Sequence, residues 1–254
     1  MKKLLSTSVI LFALAPLHAQ WLSYPTTGAP RATDGKPDMS APTPRTKDGK
    51  PDITGIWLAN GLKYLINIAA DLKPDEVPFQ PWAAALYKER RENLGRDDPN
   101  NLCLPSGTPE KEAVTSPFKI MQFPGEMLIL YESRTIYRQV FTDGRPLPKD
   151  PQPSWQGYSI GRWEGDDFVV ETTGITSKVW MDTNGHPITE AAHVTERFRR
   201  HDYGHMDIQI TIDDPKAYTK PWTIIENPHL LADTELMEYV CEENNKDAHH
   251  IVGK

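Results

Sequence analysis

The sequence predicts an all-β fold, an antiparallel barrel with one helix in an insertion, with a β-sandwich as the alternative. From Phe118 onward, short β-prone runs recur at regular spacing between turn signals such as Pro124-Gly125, Asp143-Gly144 and Glu164-Gly-Asp-Asp167. That is the pattern of barrels and sandwiches. Two stretches, Tyr158–Glu171 and Ala192–Ile212, each read as strand, Gly-containing turn, strand. Only one segment reads clearly as helix, and strands do not alternate with helices, which argues against an α/β fold.

The first residues set the expected compartment. Lys2 and Lys3 precede an apolar run from Leu4 to Leu14, and Leu17-His-Ala19 fits a cleavage site before Gln20. This predicts a secretory signal peptide over 1–19 and a periplasmic or secreted protein. The apolar run is shorter than the roughly 20 residues that span a bilayer. No later stretch is long and apolar enough, so no membrane span is expected. The chain holds 28 Lys and Arg against 35 Asp and Glu, a net charge of -7. Such an acidic chain is a poor partner for nucleic acid. Cys103 and Cys241 are the only cysteines. In an oxidising compartment they are expected to form one disulfide, with two buried free thiols as the alternative.

Residues 20–51 read as an extended Pro- and Gly-rich leader, loosely held. It carries an echo, Thr33-Asp-Gly-Lys-Pro-Asp38 and Lys47-Asp-Gly-Lys-Pro-Asp52, each copy a turn signal. A single barrel domain follows over 52–246, then a polar tail over 247–254. Ile53–Leu58 is the first strand, and Leu62–Ala70 is ambiguous between strand and helix. Pro81–Leu94 is the helix: proline suits its first turn, its interior holds good helix formers, and Gly95 can end it. Its expected buried face includes Trp82, Leu86, Tyr87 and Leu94. Asp97–Pro117 reads as a long loop. Strands are expected at 118–123, 127–132 and 135–142, then in the two hairpins, then at Trp222–Glu226 and Leu236–Cys241.

Alternation along strands sorts side chains between faces. Met206, Ile208, Ile210 and Ile212 share one face of their strand; Val194, Glu196, Phe198 and Arg200 share one face of theirs. Glu132, Arg138, Glu171 and Glu196 each place a charge among apolar neighbours. An unpaired buried charge is very costly, so these groups should pair, line a polar pocket, or sit at the barrel rim.

Gly55-Ile-Trp57 at the start of the first strand resembles the Gly-x-Trp of lipocalin-like barrels, in which that Trp plugs one end. The resemblance implies a lipocalin-like barrel. Longer motifs cover most of the chain: Phe141–Asp150, Gly157–Gly165, Val194–Arg200, Gly204-His-Met206 and Ile212–Trp222. Together they resemble a family of secreted bacterial proteins, from Gly35 to Asp247. That family brings no assigned activity, so no residue role follows from it.

The chemistry candidates come from the residues alone. His186, His193, His201 and His205 cluster in sequence, and histidine is the usual acid or base near neutral pH. Candidate catalytic residues are His186, His193, Glu196, His205 and Glu171. A metal held by histidines with Asp207 or Glu196 is possible but not favoured, because no fixed-spacing signature is present. No Gly-x-Ser-x-Gly, P-loop or Gly-x-Gly-x-x-Gly occurs, so no nucleotide cofactor is expected. Trp57, Trp82, Trp155, Trp163, Trp180 and Trp222 could line a site for a small apolar or aromatic molecule. Candidate ligand-binding residues are Trp57, Glu132, Arg138, Tyr158, Trp163 and Arg199. Three functions remain open at this point. One is an enzyme acting on a small organic molecule in a barrel pocket, of lyase, isomerase or hydratase type. The second is a non-catalytic carrier of an apolar or aromatic ligand. The third is an envelope interaction protein.

Overall fold

The computed structural model describes residues 24–241, so the expected signal peptide and the 247–254 tail lie outside the described residues. Ten strands form one sheet: β1 Gly55–Leu58, β2 Phe118–Phe123, β3 Glu126–Tyr131, β4 Ile136–Phe141, β5 Tyr158–Glu164, β6 Asp167–Thr173, β7 His193–Arg200, β8 Met206–Asp213, β9 Trp222–Glu226 and β10 His229–Leu230. Their order is β10-β1-β2-β3-β4-β5-β6-β7-β8-β9. The sheet curls until its ends meet. β10 pairs with β1, while His229 bridges His205 and the Leu230 N–H donates to the Gly204 carbonyl at 2.8 Å. The fold is all-β and barrel-like, built from one curled sheet.

One pair departs from the expected antiparallel pattern: β4 and β5 run parallel. The cause lies in the linker, where Pro146, Pro148, Pro151 and Pro153 preclude a tight hairpin. Proline cannot donate to a ladder, so the chain crosses over before pairing again.

The pleat sorts side chains as alternation predicts. Val194, Glu196, Phe198 and Arg200 are buried on β7, and Met206, Ile208, Ile210 and Ile212 on β8. On β3 the inward residues are Met127, Ile129 and Tyr131, so Leu128 and Leu130 face outward. Trp57, Phe118, Phe168 and Phe198 are fully buried inside one continuous apolar cluster. The barrel interior is therefore packed with rings and branched side chains.

Three short helices cover one end of this sheet. They are α1 Lys63–Ile66, α2 Pro81–Glu92 and α3 Glu110–Ala113, and α1 lies against α3. The ambiguous 62–70 segment thus contains one helical turn. α2 has the expected start, but its packing face differs. Ala83 is its buried residue, whereas Trp82 is 46% and Leu94 92% exposed. Trp82 keeps its indole at the surface because its Nε1–H donates to the Lys216 carbonyl at 2.7 Å. Leu94 falls beyond the helix at φ +54, where the chain is already turning away.

The end of the chain also differs. Leu236–Val240 forms no strand; among the described residues the last strand is His229–Leu230, too short to show as a pattern. Residues 236–241 instead lie across the surface. The Met237 N–H donates to Glu132 Oε2 at 3.0 Å, the Thr135 hydroxyl donates to the Tyr239 carbonyl at 3.1 Å, and Cys241 bonds to Cys103.

The leader is tied down more firmly than its composition suggests. Both echo copies fold identically. Ala32 N–H to Lys36 O, Gly35 N–H to Ala32 O and Asp38 N–H to Pro30 O recur as Thr46 to Lys50, Gly49 to Thr46 and Asp52 to Pro44. Each miniature hairpin carries an arginine at the same place, and each arginine grips a carboxylate with two N–H donors: Arg31 on Asp233 and Arg45 on Asp166.

Candidate functional site

The charges that alternation placed inside do meet. Arg138 (β4) and Glu196 (β7) are both enclosed, and the guanidinium holds Glu196 through NH1 at 3.0 Å and through NH2. Arg138 also donates to Glu112 Oε1 at 3.0 Å, to Ser159 Oγ at 3.1 Å and to Thr172 Oγ1 at 2.7 Å. The Tyr131 hydroxyl donates to Glu112 Oε1 at 2.7 Å. Every direction a guanidinium can donate is used, which is what makes a buried arginine tolerable.

Glu112 belongs to a feature the sequence hides. Glu110, Lys111 and Glu112 stand on the single turn of α3, and all three are buried. Lys111 Nζ donates to the Ser133 carbonyl at 2.9 Å, and Asn100 Nδ2 donates to Glu110 Oε1 at 2.9 Å. Three consecutive charges in a Pro- and Gly-rich segment read as a solvated loop. Nothing in their spacing says that this turn plugs a barrel.

Burial leaves several of these groups shifted. Burial, with Asp98 nearby, pushes the Glu110 carboxyl up to about 8. Burial and the Glu196 charge push Glu112 up to about 7, against the pull of Arg138. Burial, with Glu112 nearby, pushes Glu226 up to about 8. Burial pulls the Lys111 ammonium down to about 8. In each carboxyl the folded value lies above the unfolded one. The stability these groups contribute is therefore present at acid pH and lost as pH rises through 7 to 8. Lys111 has the opposite sign and regains some stability only above about pH 8. Urea unfolding should show a fall of a few kcal/mol between pH 5.5 and 8; a flat profile there would contradict the enclosed carboxyls.

The histidines do not converge. In the β7–β8 ladder His193 pairs with Asp213 and Arg200 with Met206. His193 and His205 therefore lie at opposite ends of the hairpin, roughly 23 Å apart at about 3.3 Å per residue. His193 faces outward, 3.6 Å from Glu171, which Arg162 also holds. Glu171 is thus an outer-face residue, on the opposite side of the sheet from Glu196. His205 is exposed and turned onto Asp202 at 2.8 Å. His186 is buried, 2.5 Å from Asp182, with its ring against Phe79 and Tyr87. Asp182 also accepts from the Ile68, Gly185 and His186 N–H groups, so the pair fastens α1 to the 182–187 turn. Among the described residues no group of three or more His, Cys, Asp or Glu side chains could hold a metal.

The remaining ligand candidates are dispersed. Trp57 is enclosed, its Nε1–H on the Ile53 carbonyl at 3.1 Å and its ring 4.9 Å from the Arg200 guanidinium. Trp163 packs on Phe168, and Tyr158 on Phe141. Arg199 is exposed and bound to Asp167. Glu132 holds the Met237 N–H. Inside the barrel Arg138 and Glu196 come together, and they face each other rather than a ligand; the His193–Glu171 pair lies on the outer face.

A cleft of about 380 Å³ lies outside the barrel instead. α2 forms one wall with Leu86, Glu89 and Arg90; the segment around Cys103 forms another with Leu102 and Leu104; Trp155 and Trp180 add ring faces, and Asp97 and Lys178 add one charge of each sign. Two glycines permit this packing. A Cβ on Gly107 would come within 2.6 Å of the Trp155 carbonyl, and one on Gly185 (φ +88) would strike Arg90 Cδ at 2.7 Å. Arg90 lies with its guanidinium 4.3 Å from the Trp180 ring and one NH1 bond of 3.0 Å to the Gly185 carbonyl. Among the described residues no carboxylate pairs with it. Burial lowers it to about 10, so it stays cationic at neutral pH. The indoles were visible in the sequence as a resource; the arginine was not, because it stands in a run of charges on a helix.

No family model, no curated protein and no solved structure matches this chain.

Proposed function

We propose that the protein is a non-catalytic carrier of a small aromatic anion, bound in the cleft between α2 and the Cys103 segment. One observation carries this reading: a half-buried guanidinium that, among the described residues, no carboxylate pairs directly, stacked on an indole in a cleft of about 380 Å³ that Glu89, Asp97 and Lys178 also line. Ligand sites are typically concave, mostly apolar and served by a few polar groups. The rings of Trp155 and Trp180 supply faces for an aromatic ligand, and Arg90 supplies the charge for a carboxylate or sulfonate. The acid–base enzyme would need His186, His193, His205 and Glu196 around one pocket, and the fold holds them apart. The Cys103–Cys241 disulfide and the reading of residues 1–19 support a secreted or periplasmic location.

The test is a matched pair of probes, indole-3-acetate and its neutral amide, titrated into the protein by isothermal calorimetry. The acetate should bind at least about tenfold more tightly, as one charge-assisted contact is worth about 1.5–3 kcal/mol. Arg90→Met should erase that preference, and Trp155→Ala should weaken both probes. Equal binding of the two probes, or an unchanged preference in Arg90→Met, would sink the proposal.

A further inference from the structure

β4 and β5 are joined by two residue pairs, Val140 with Ser159 and Phe141 with Ile160. Before those pairs the two segments separate. Ser154 is drawn away from β4, because its N–H donates to the Gly174 carbonyl and its own carbonyl accepts from the Thr176 N–H, each at 2.9 Å. A hollow of about 310 Å³ opens between residues 135–137 and 154–156, with Pro105 at its side.

The lining says what this hollow would take. Among the described residues no charged side chain lines it. Its polar side chains are already engaged. The Thr135 hydroxyl donates to the Tyr239 carbonyl at 3.1 Å, the Ser154 hydroxyl to the Gly157 carbonyl at 3.3 Å, and Gln156 Nε2 to the Ser106 carbonyl at 2.7 Å. What remains is apolar surface from Pro105 and Ile136 and the rings of Trp155 and Tyr137, the last 62% exposed. Such a surface suits an uncharged ring. A charge placed there would lose water and gain no partner.

The hollow adjoins the cleft that holds Arg90. Trp155 lines both, and the consecutive residues Leu104 and Pro105 wall one each. We propose, resting on the carrier reading above, that the bound molecule has two parts: an anionic ring beside Arg90, and an uncharged second ring seated in the hollow against Trp155 and Tyr137. The cleft supplies the charge and the hollow supplies apolar contact alone. The ligand class is therefore an elongated aromatic acid whose distal ring carries no charge.

Calorimetry with phenylacetate, biphenyl-3-acetate and biphenyl-4-acetate tests this. One of the biphenyl acids should bind at least about tenfold more tightly than phenylacetate, because the added ring buries apolar surface. A second carboxylate on its distal ring should cancel the gain. Arg90→Met should weaken phenylacetate and both biphenyl acids. Tyr137→Ser should remove most of the gain and leave phenylacetate unchanged. Tyr137 is exposed on β4, so the variant should keep its melting temperature. On the unaltered protein, nuclear Overhauser contacts from the distal ring to the Tyr137 ring give an independent readout. Phenylacetate binding that does not depend on Arg90, or no binding, would overturn the carrier reading and this inference with it. If phenylacetate binds through Arg90 but the second ring adds nothing, or its carboxylate costs nothing, or Tyr137→Ser weakens one-ring and two-ring acids alike, the two-part ligand alone is overturned.

Discussion

Replacing Arg138 by Met should cost the fold about 3–5 kcal/mol, the usual penalty for removing one partner of a buried ion pair. Arg138 is 1% exposed and touches Glu196, Glu112, Ser159 and Thr172. Without it, two carboxylates remain inside an apolar barrel with Tyr131 as their one remaining donor. They would take up protons, so the loss should be smaller at pH 5 than at pH 8. The triple variant Arg138→Met, Glu112→Gln, Glu196→Gln removes the charges together and should recover part of the loss. Urea unfolding at both pH values reads all three effects. A loss below about 1 kcal/mol in the single variant would mean the pair is not enclosed.

Opening the disulfide should have an effect of similar size. Cys103 and Cys241 are 138 residues apart, with Cα atoms 5.7 Å apart. In the chain-entropy model a closed loop of that length contributes about 5 kcal/mol. The loss should fall short of this, because residues 236–241 hold the domain by few other contacts and would partly detach on their own. Cys103 also sits between Leu102 and Leu104, which wall the cleft. Reduction should therefore weaken probe binding as well as stability. Unfolding curves with and without reductant that superimpose would contradict this.

The sequence made the strands legible because alternation on a half-buried surface has a fixed period. Glu196 could be placed among Val194, Phe198 and Arg200, and Arg138 between Ile136 and Val140, without coordinates. What alternation cannot supply is register. His193 and His205 stand close in sequence, on the two arms of one hairpin. The ladder instead pairs His193 with Asp213 at the far end of the hairpin. Loops were less legible still. Glu110-Lys-Glu112 has no period to read, and its burial depends on Tyr131, Arg138 and Ser133 arriving from other elements. The cleft combines Arg90 with Trp155 and Trp180, residues 65 and more positions apart in the chain, through two glycines whose missing side chains give no sign in composition.

The most direct measurement of where the ligand binds is the set of indole N–H signals in a proton–nitrogen correlation spectrum, assigned by single Trp→Phe variants. On titration with indole-3-acetate, Trp155 and Trp180 should shift, while Trp57, enclosed in the barrel and bonded to the Ile53 carbonyl, should stay in place. Shifts at Trp57 with none at Trp155 and Trp180 would put the ligand inside the barrel and contradict the outer cleft.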